Sequence, residues 1–234
     1  MNQFPYVNSL GPFGDRAPVG AGTMTPPHMP GTRVPRAITP PPRRGVEGQS
    51  PLSIRIGLAR AVDAKDPSTR RHSERVADLS WVIADALGWS TSRRTLLHDA
   101  ALVHDLGKIA IPDEILFKPD ELTPHEYETV KGHSRIGAEM LEGVMTSEQV
   151  SWVRCHHEWW GGGGYPDGLV GAQIPEGARV IAVADAWDAI TSWRPYGGPR
   201  STAQALEECR LSMGTQFWPP AVIALGCALQ SVDD

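Results

Sequence analysis

The chain has 234 residues, 41% of them apolar, which is enough for one substantial core, and a net charge of −5 at neutral pH. The charge is uneven: residues 1–50 hold five arginines against Asp15 and Glu47, so residues 51–234 carry −8. Such an acidic body excludes broad electrostatic binding to DNA or RNA duplexes, which rests on Lys and Arg neutralising phosphates; a small phosphorylated molecule fits only if metal ions supply the positive charge. Cys155, Cys209 and Cys227 are an odd set without CxxC spacing, so neither a disulfide framework nor a zinc knuckle is indicated. No apolar run reaches the length of a membrane span, and the expectation is a cytoplasmic protein without membrane association.

In chain order, residues 1–50 contain ten of the 21 prolines and seven glycines. They are predicted to form a disordered Pro/Gly-rich leader, because they cannot bury enough apolar surface to offset their ordering entropy. Residues 51–234 are predicted to form one domain. Pro51 suits the first turn of a helix with Ile54, Ile56, Leu58, Ala61 and Val62 on its apolar side. A second helix is predicted over 70–87 and closed by Gly88, and a strongly apolar central one over 92–106. Thr123, Pro124 and Glu126 form a capping box that starts a helix at 124. Further helices are predicted over 133–143, 147–157, 178–190, 202–212 and 219–229, with a Gly-rich loop over 158–177. No stretch alternates at period two, so the fold class is all-α, without internal repeats.

The chemistry lies in polar groups set among apolar ones. His104 and Asp105 fall in the apolar stretch 100–108, where a carboxylate is costly unless a cation or strong hydrogen bonds compensate it. Lys108 follows His104 by four residues, one helical turn along the same face, which suits either a pocket lysine or an ordinary helix end beside Gly107. His156 and His157 offer two adjacent imidazoles ahead of the glycine-dense loop. Asp185 repeats the anomaly of an acid in an apolar helix, among residues 180–184. Taken singly, His72, His98, His104, His133, His156 and His157 each read as surface or core histidines. Two buried acids on separate helices share an explanation in a metal centre.

These residues are spaced as in the HD-GYP family, a branch of the HD phosphohydrolase superfamily, which the chain resembles over nearly all of residues 56–220. The resemblance runs through Lys65-Asp66-Pro67 with Thr69 and His72, His104-Asp105-Leu106-Gly107-Lys108, and Lys118-Pro119. It continues through His133 with Ile136 and Gly137, His156-His157-Glu158, and Gly164-Tyr165-Pro166-Asp167-Gly168-Leu169. Ile174-Pro175, Ala178-Arg179, Asp185 with Asp188-Ala189, and Arg194-Pro195-Tyr196 complete it. It implies a helical bundle with a Gly-rich GYP loop and two divalent ions, iron or manganese. The implied ligands are His72, His104, Asp105, His133, His156, His157 and Asp185, with Asp105 bridging both ions. Lys108 and Asp105 are the implied catalytic residues, and Lys108 and Arg194 contact phosphate oxygens. Gly164, Tyr165 and Pro166 border the substrate and, in some relatives, dock a diguanylate cyclase (GGDEF) domain. The implied reaction opens cyclic di-GMP to linear pGpG, and in some relatives on to GMP.

The pattern departs from the family at four places. Gly161 replaces an Asp, which predicts a looser loop, and Gly197 replaces a basic residue, with Arg200 near enough in sequence to substitute. Ser68 is not the Glu that offers a third metal in some relatives, and Trp218 replaces an Asp without a chemical reading. Gly161 and Gly197 support an alternative, a catalytically weak module that binds cyclic di-GMP or a cyclase partner. His98-Asp99 resembles a second HD dipeptide but lacks the Gly-Lys that follows, and His125 reads as solvent-facing.

Overall fold

A computed structural model describes residues 71–192 and 200–230, together with Gly57 and Lys65. The predicted leader and nearly all of the helix predicted from Pro51 lie outside the described residues. Helix α1 (His72–Ala86) buries Val76, Leu79 and Ile83, and α2 (Thr91–Leu102) starts at Ser90, whose hydroxyl accepts from the Arg93 N–H. After a 3-10 turn (Leu106–Ala110) and the single-turn α3 (Asp113–Leu116), helix α4 (Pro124–Leu141) begins at the expected Thr123/Glu126 capping box. Helix α5 (Ser147–Cys155) begins at a second box, Thr146/Gln149. The glycine-dense loop holds one 3-10 turn (Gly171–Gln173) and leads to α6 (Glu176–Thr191), α7 (Thr202–Leu211) and α8 (Pro219–Gln230). Among the described residues there is no strand, only an isolated bridge between Met213 and Phe217.

Helix α6 is the axis of the bundle. It packs against α1, α5, α7 and α8, and its Val180, Ile181, Val183 and Ala184 are fully buried. A helix apolar on nearly every side must lie in the interior, so an acid it carries is forced inward as well. The core around it joins Ile83, Leu97, Leu106, Leu141, Trp152, Ile174, Phe217 and Leu225. Among the described residues no helix is long and apolar enough to cross a membrane.

Two predicted boundaries move. The helices expected near 124 and over 133–143 are one, because the buried face Val130, His133, Ser134, Gly137, Ala138 and Leu141 runs through it unbroken. The helix expected over 92–106 stops at Leu102, so His104 and Asp105 sit in a turn rather than inside a helix. The reason is local: the carbonyl of Ala101, which a continuing helix would give to the Asp105 N–H, accepts instead from the His104 backbone (3.4 Å) and from His104 Nδ1 (2.7 Å).

The tighter turn brings Gly107 against the α4 backbone, where a Cβ at 107 would lie 2.0 Å from the His133 carbonyl oxygen and 2.6 Å from Gly137 N. Backbone cannot yield as a side chain can. Gly107→Ala is therefore expected to cost about 2 to 3 kcal/mol, read as a lower urea midpoint at unchanged slope. A loss within about 0.5 kcal/mol, the range of ordinary surface changes, would contradict the contact.

Candidate metal centre

Five elements converge on one buried space. His72 opens α1, His104 and Asp105 occupy the turn after α2, His133 sits midway along α4, His156 and His157 follow α5, and Asp185 comes from α6. One ligand atom each from His72, His104 and Asp185 lies within 4.8 Å of the others, as does one each from Asp105, His133, His156 and His157. Asp105 joins the two groups. Its Oδ2 lies 3.5 Å from His104 Nε2 and 3.8 Å from His72 Nε2, and its Oδ1 lies 3.4 Å from His133 Nε2.

Three of the imidazoles are oriented by the same device. Nδ1 of His104, His133 and His156 donates to the carbonyl three residues back, those of Ala101, Val130 and Val153, at 2.6 to 2.7 Å. The proton is thereby held at Nδ1, and the Nε2 lone pair points into the centre. His104 Nε2, His133 Nε2, His156 Nε2 and Asp105 Oδ1 are buried without a hydrogen-bond partner. Orphaned polar atoms are costly to bury, and four acceptor lone pairs converging on one space fit a cation. Imidazoles mixed with carboxylates suit a divalent transition metal.

The electrostatics divide the site. Burial pushes the His133 and His156 imidazoles down to about 4 and about 3, and holds His157 well below its usual range, so all three stay neutral and ready to ligate. Burial would also depress His72, but the carboxylates of Asp185 and Asp188 outweigh it and lift that imidazole to about 10. Asp105 resists the upward push of burial through Lys108 and the surrounding imidazoles and stays well below the usual carboxylate range. The buried Lys108 Nζ donates to Asp105 Oδ2 at 2.6 Å. It does so from a 3-10 turn, three residues on, rather than from the helical face expected for it.

Three supporting groups carried no predicted role. Asp188 accepts from His72 Nδ1 at 2.7 Å and is gripped by the Arg75 guanidinium, Nε to Oδ1 and Nη2 to Oδ2, the latter at 2.8 Å. Its position three residues after Asp185 on the same face was the available signal. Glu158 is buried and accepts from the N–H groups of Asp167 (2.7 Å) and Leu169 (3.0 Å), which ties the glycine-dense loop to the histidine pair. Lys65 donates to the carbonyls of Ile109 (2.9 Å) and Ile111 (2.7 Å), steadying the end of the turn that carries Lys108.

In the loop, a Cβ at Gly164 would lie 2.3 Å from Trp159 N and 2.5 Å from the Glu158 Cα, so only glycine fits. Tyr165 N donates to the His157 carbonyl at 3.2 Å, and its ring lies against the His157 imidazole with centroids 4.8 Å apart. Pro166 follows through a cis peptide. Gly161 does not loosen this loop: its N–H donates to the Thr215 carbonyl at 2.6 Å. Trp218 acquires a reading, because its ring packs 6.2 Å from that of Trp160 and the Arg179 guanidinium lies beside both, 5.1 Å from each ring. His98 faces Asp78 and Trp81, away from the centre, and His125 is exposed. The Cys155 thiol is buried and pushed up to about 12, so it stays protonated. Arg194, Gly197 and Ser68 lie outside the described residues.

The HD domain family matches the chain over residues 58–219. The chain belongs to that family. It is 43% identical over 171 residues to the cyclic di-GMP phosphodiesterase response regulator RpfG of Xanthomonas campestris, covering 72% of this chain and 45% of that protein. It is 39% identical over 160 residues to the 3'3'-cGAMP-specific phosphodiesterase 1 of Vibrio cholerae, covering 68% and 37%. The chain thus spans less than half the length of each of these curated relatives. Bd1817, an HDG"Y"P protein of Bdellovibrio bacteriovorus, shares the fold with a TM-score of 0.58 at 19% identity, over 77% of this chain and 63% of that one. HD domain phosphohydrolases use divalent metals, and the His/Asp cluster here has the make-up to hold them.

The buried centre sets the pH dependence of the chelated protein. Unfolding lets His133 and His156 titrate near 6.5, above their folded values of about 4 and about 3. Their contribution is therefore complete above pH 6.5 and drains away as the pH falls. His72 has the opposite sign, contributing fully below 6.5 and losing that contribution as the pH rises through about 10. Thermal melts in chelator should peak near pH 6.5 and fall on both sides, and a flat profile between 4 and 6.5 would remove the basis for neutral buried imidazoles. Asp188→Asn should weaken metal affinity by about 10- to 100-fold in chelator competition, since it loosens the His72 ring.

Proposed function

We propose that this chain hydrolyses the phosphodiester bonds of cyclic di-GMP to linear pGpG, and by a second cut to GMP, with two divalent ions, iron or manganese. The observation that carries the reading is the division of Asp105, one oxygen facing His72 and His104 and the other facing His133. His72, His104 and Asp185 would hold one ion and His133, His156 and His157 the other, with Asp105 shared. Bound there, the ions would supply Lewis-acid charge to phosphate oxygens and make water more acidic.

The remaining chemistry belongs to the chain. Water adds to phosphorus, the bond to the 3′-oxygen breaks, and one nucleoside keeps a 3′-hydroxyl while the other keeps a 5′-phosphate. Lys108, buried beside Asp105, is positioned to stabilise charge on the phosphate oxygens as they form, and Arg194 would share that task. Gly164, Tyr165 and Pro166 would line the substrate next to His157 and offer a docking edge to a diguanylate cyclase domain. The names of the relatives, for cyclic di-GMP in one and 3'3'-cGAMP in another, support a cyclic dinucleotide substrate. Such a substrate, together with three cysteines outside any disulfide, favours the cytoplasm.

Metal analysis and turnover of cyclic di-GMP after loading with Fe(II) or Mn(II) test the reading. Asp105→Ala should lose both metal and activity, whereas Lys108→Ala should keep the metal and lose about 10²- to 10³-fold in kcat, the effect of removing one preorganised charge stabiliser. Full metal content without turnover under either ion would defeat the proposal.

A further inference from the structure

Tyr127, Lys131 and Tyr165 form a group that the metal centre does not use. Tyr127 and Lys131 are one turn apart on α4, and the Lys131 ammonium lies 5.3 Å from the Tyr127 ring centre and 5.7 Å from that of Tyr165. Tyr165 in turn lies against the His157 imidazole, its ring tilted 30° from it. A continuous run of contacts therefore leads from a ligand-type histidine to an ammonium at the rim of the site. The ion-pair partner of Lys131 is Glu128 at 2.5 Å, whose side chain is 66% exposed. Lys131 is itself half-buried, but its partner is solvated, and pairs with a solvated member contribute only about 0 to 1 kcal/mol, so the ammonium exchanges that partner for a ligand at small cost.

We infer that Tyr127, Lys131 and Tyr165 form a base-binding subsite that selects guanine over adenine, an inference that rests on the cyclic dinucleotide reading above. Phenol rings stack on any base, so they give affinity without choice. The choice falls to Lys131. Guanine presents O6 and N7 side by side as two acceptors, to which an ammonium donates, whereas adenine places an amino donor beside N7. Lys131 is thus a specificity-determining residue, two positions before His133 on the same helix.

The test uses the whole metal-loaded chain, with KM and kcat for cyclic di-GMP and the inhibition constant of cyclic di-AMP. Lys131→Met keeps the aliphatic stem and should raise KM for cyclic di-GMP about tenfold or more, with kcat within about twofold, and leave the cyclic di-AMP constant unchanged. Metal content and melting temperature should match the unaltered chain. Lys131→Arg, whose guanidinium also reaches O6 and N7, should restore the preference for guanine. Equal weakening for both nucleotides would assign Lys131 to a phosphate and overturn the subsite, as would an unchanged KM. Absence of turnover by the unaltered chain overturns the functional reading and the subsite together, which separates the two failures.

Discussion

Everything in this site depends on one buried carboxylate. Asp105 is only 4% exposed, and an ionised acid in such a place costs several kcal/mol unless positive charge and hydrogen bonds surround it. Lys108 answers one oxygen, and the other has no hydrogen-bond partner. The demands of that acid propagate outward. It sits where α2 breaks into a 3-10 turn, the turn requires Gly107 against the α4 backbone, and that contact fixes His133 3.4 Å from Asp105 Oδ1. The path of the main chain and the arrangement of the ligands are one constraint.

The two halves of the centre are built on different outer partners. His104, His133 and His156 lean on backbone carbonyls, neutral acceptors that fix the ring without adding charge. His72 leans on Asp188, itself held by Arg75, and a carboxylate partner makes an imidazole more basic. Without metal the His72 half balances its acids with a proton, since its imidazole is lifted to about 10, while the half around His133 and His156 stays neutral. Metal entering the first half must displace that proton; metal entering the second meets open lone pairs.

The all-α fold class was legible in the sequence because it rests on local signals, helical periodicity and capping boxes; acids embedded in apolar runs such as 180–184 pointed to a metal centre, whereas the set of seven ligand-type residues came from the family resemblance. The break at Leu102 was not. Residues 92–106 keep an apolar period throughout, and the competitor is a side-chain bond from His104 to the Ala101 carbonyl, which no periodicity records. The role of Asp188 was hidden for another reason, since His72 and Arg75 reach it across more than a hundred positions. Trp218 looked anomalous until Arg179 and Trp160 appeared beside it, because an aromatic and cationic stack is a tertiary event. Gly161 misled in the opposite sense: its bond to Thr215 removes the freedom that a glycine suggests.

The loop after His157 is anchored at both ends, and this decides what kind of surface it offers. Glu158 gathers the N–H groups of Asp167 and Leu169, Trp160 N and Gly161 N donate to Gln216 and Thr215, and Arg179 donates to the carbonyls of Ala172 and Ile174 from beside two tryptophans. A loop held by so many bonds has little conformational entropy left to lose, so a ligand or partner meets it at low ordering cost. The same anchoring fixes Tyr165 against His157, which couples the position of a ring at the rim to that of a ligand-type imidazole in the centre. Displacement of this loop would therefore reach the centre through Glu158 and Tyr165 more directly than through the helical core, because Glu158 adjoins the histidine pair and holds the loop by hydrogen bonds, and Tyr165 in the loop is bonded to the His157 carbonyl and stacked on its ring.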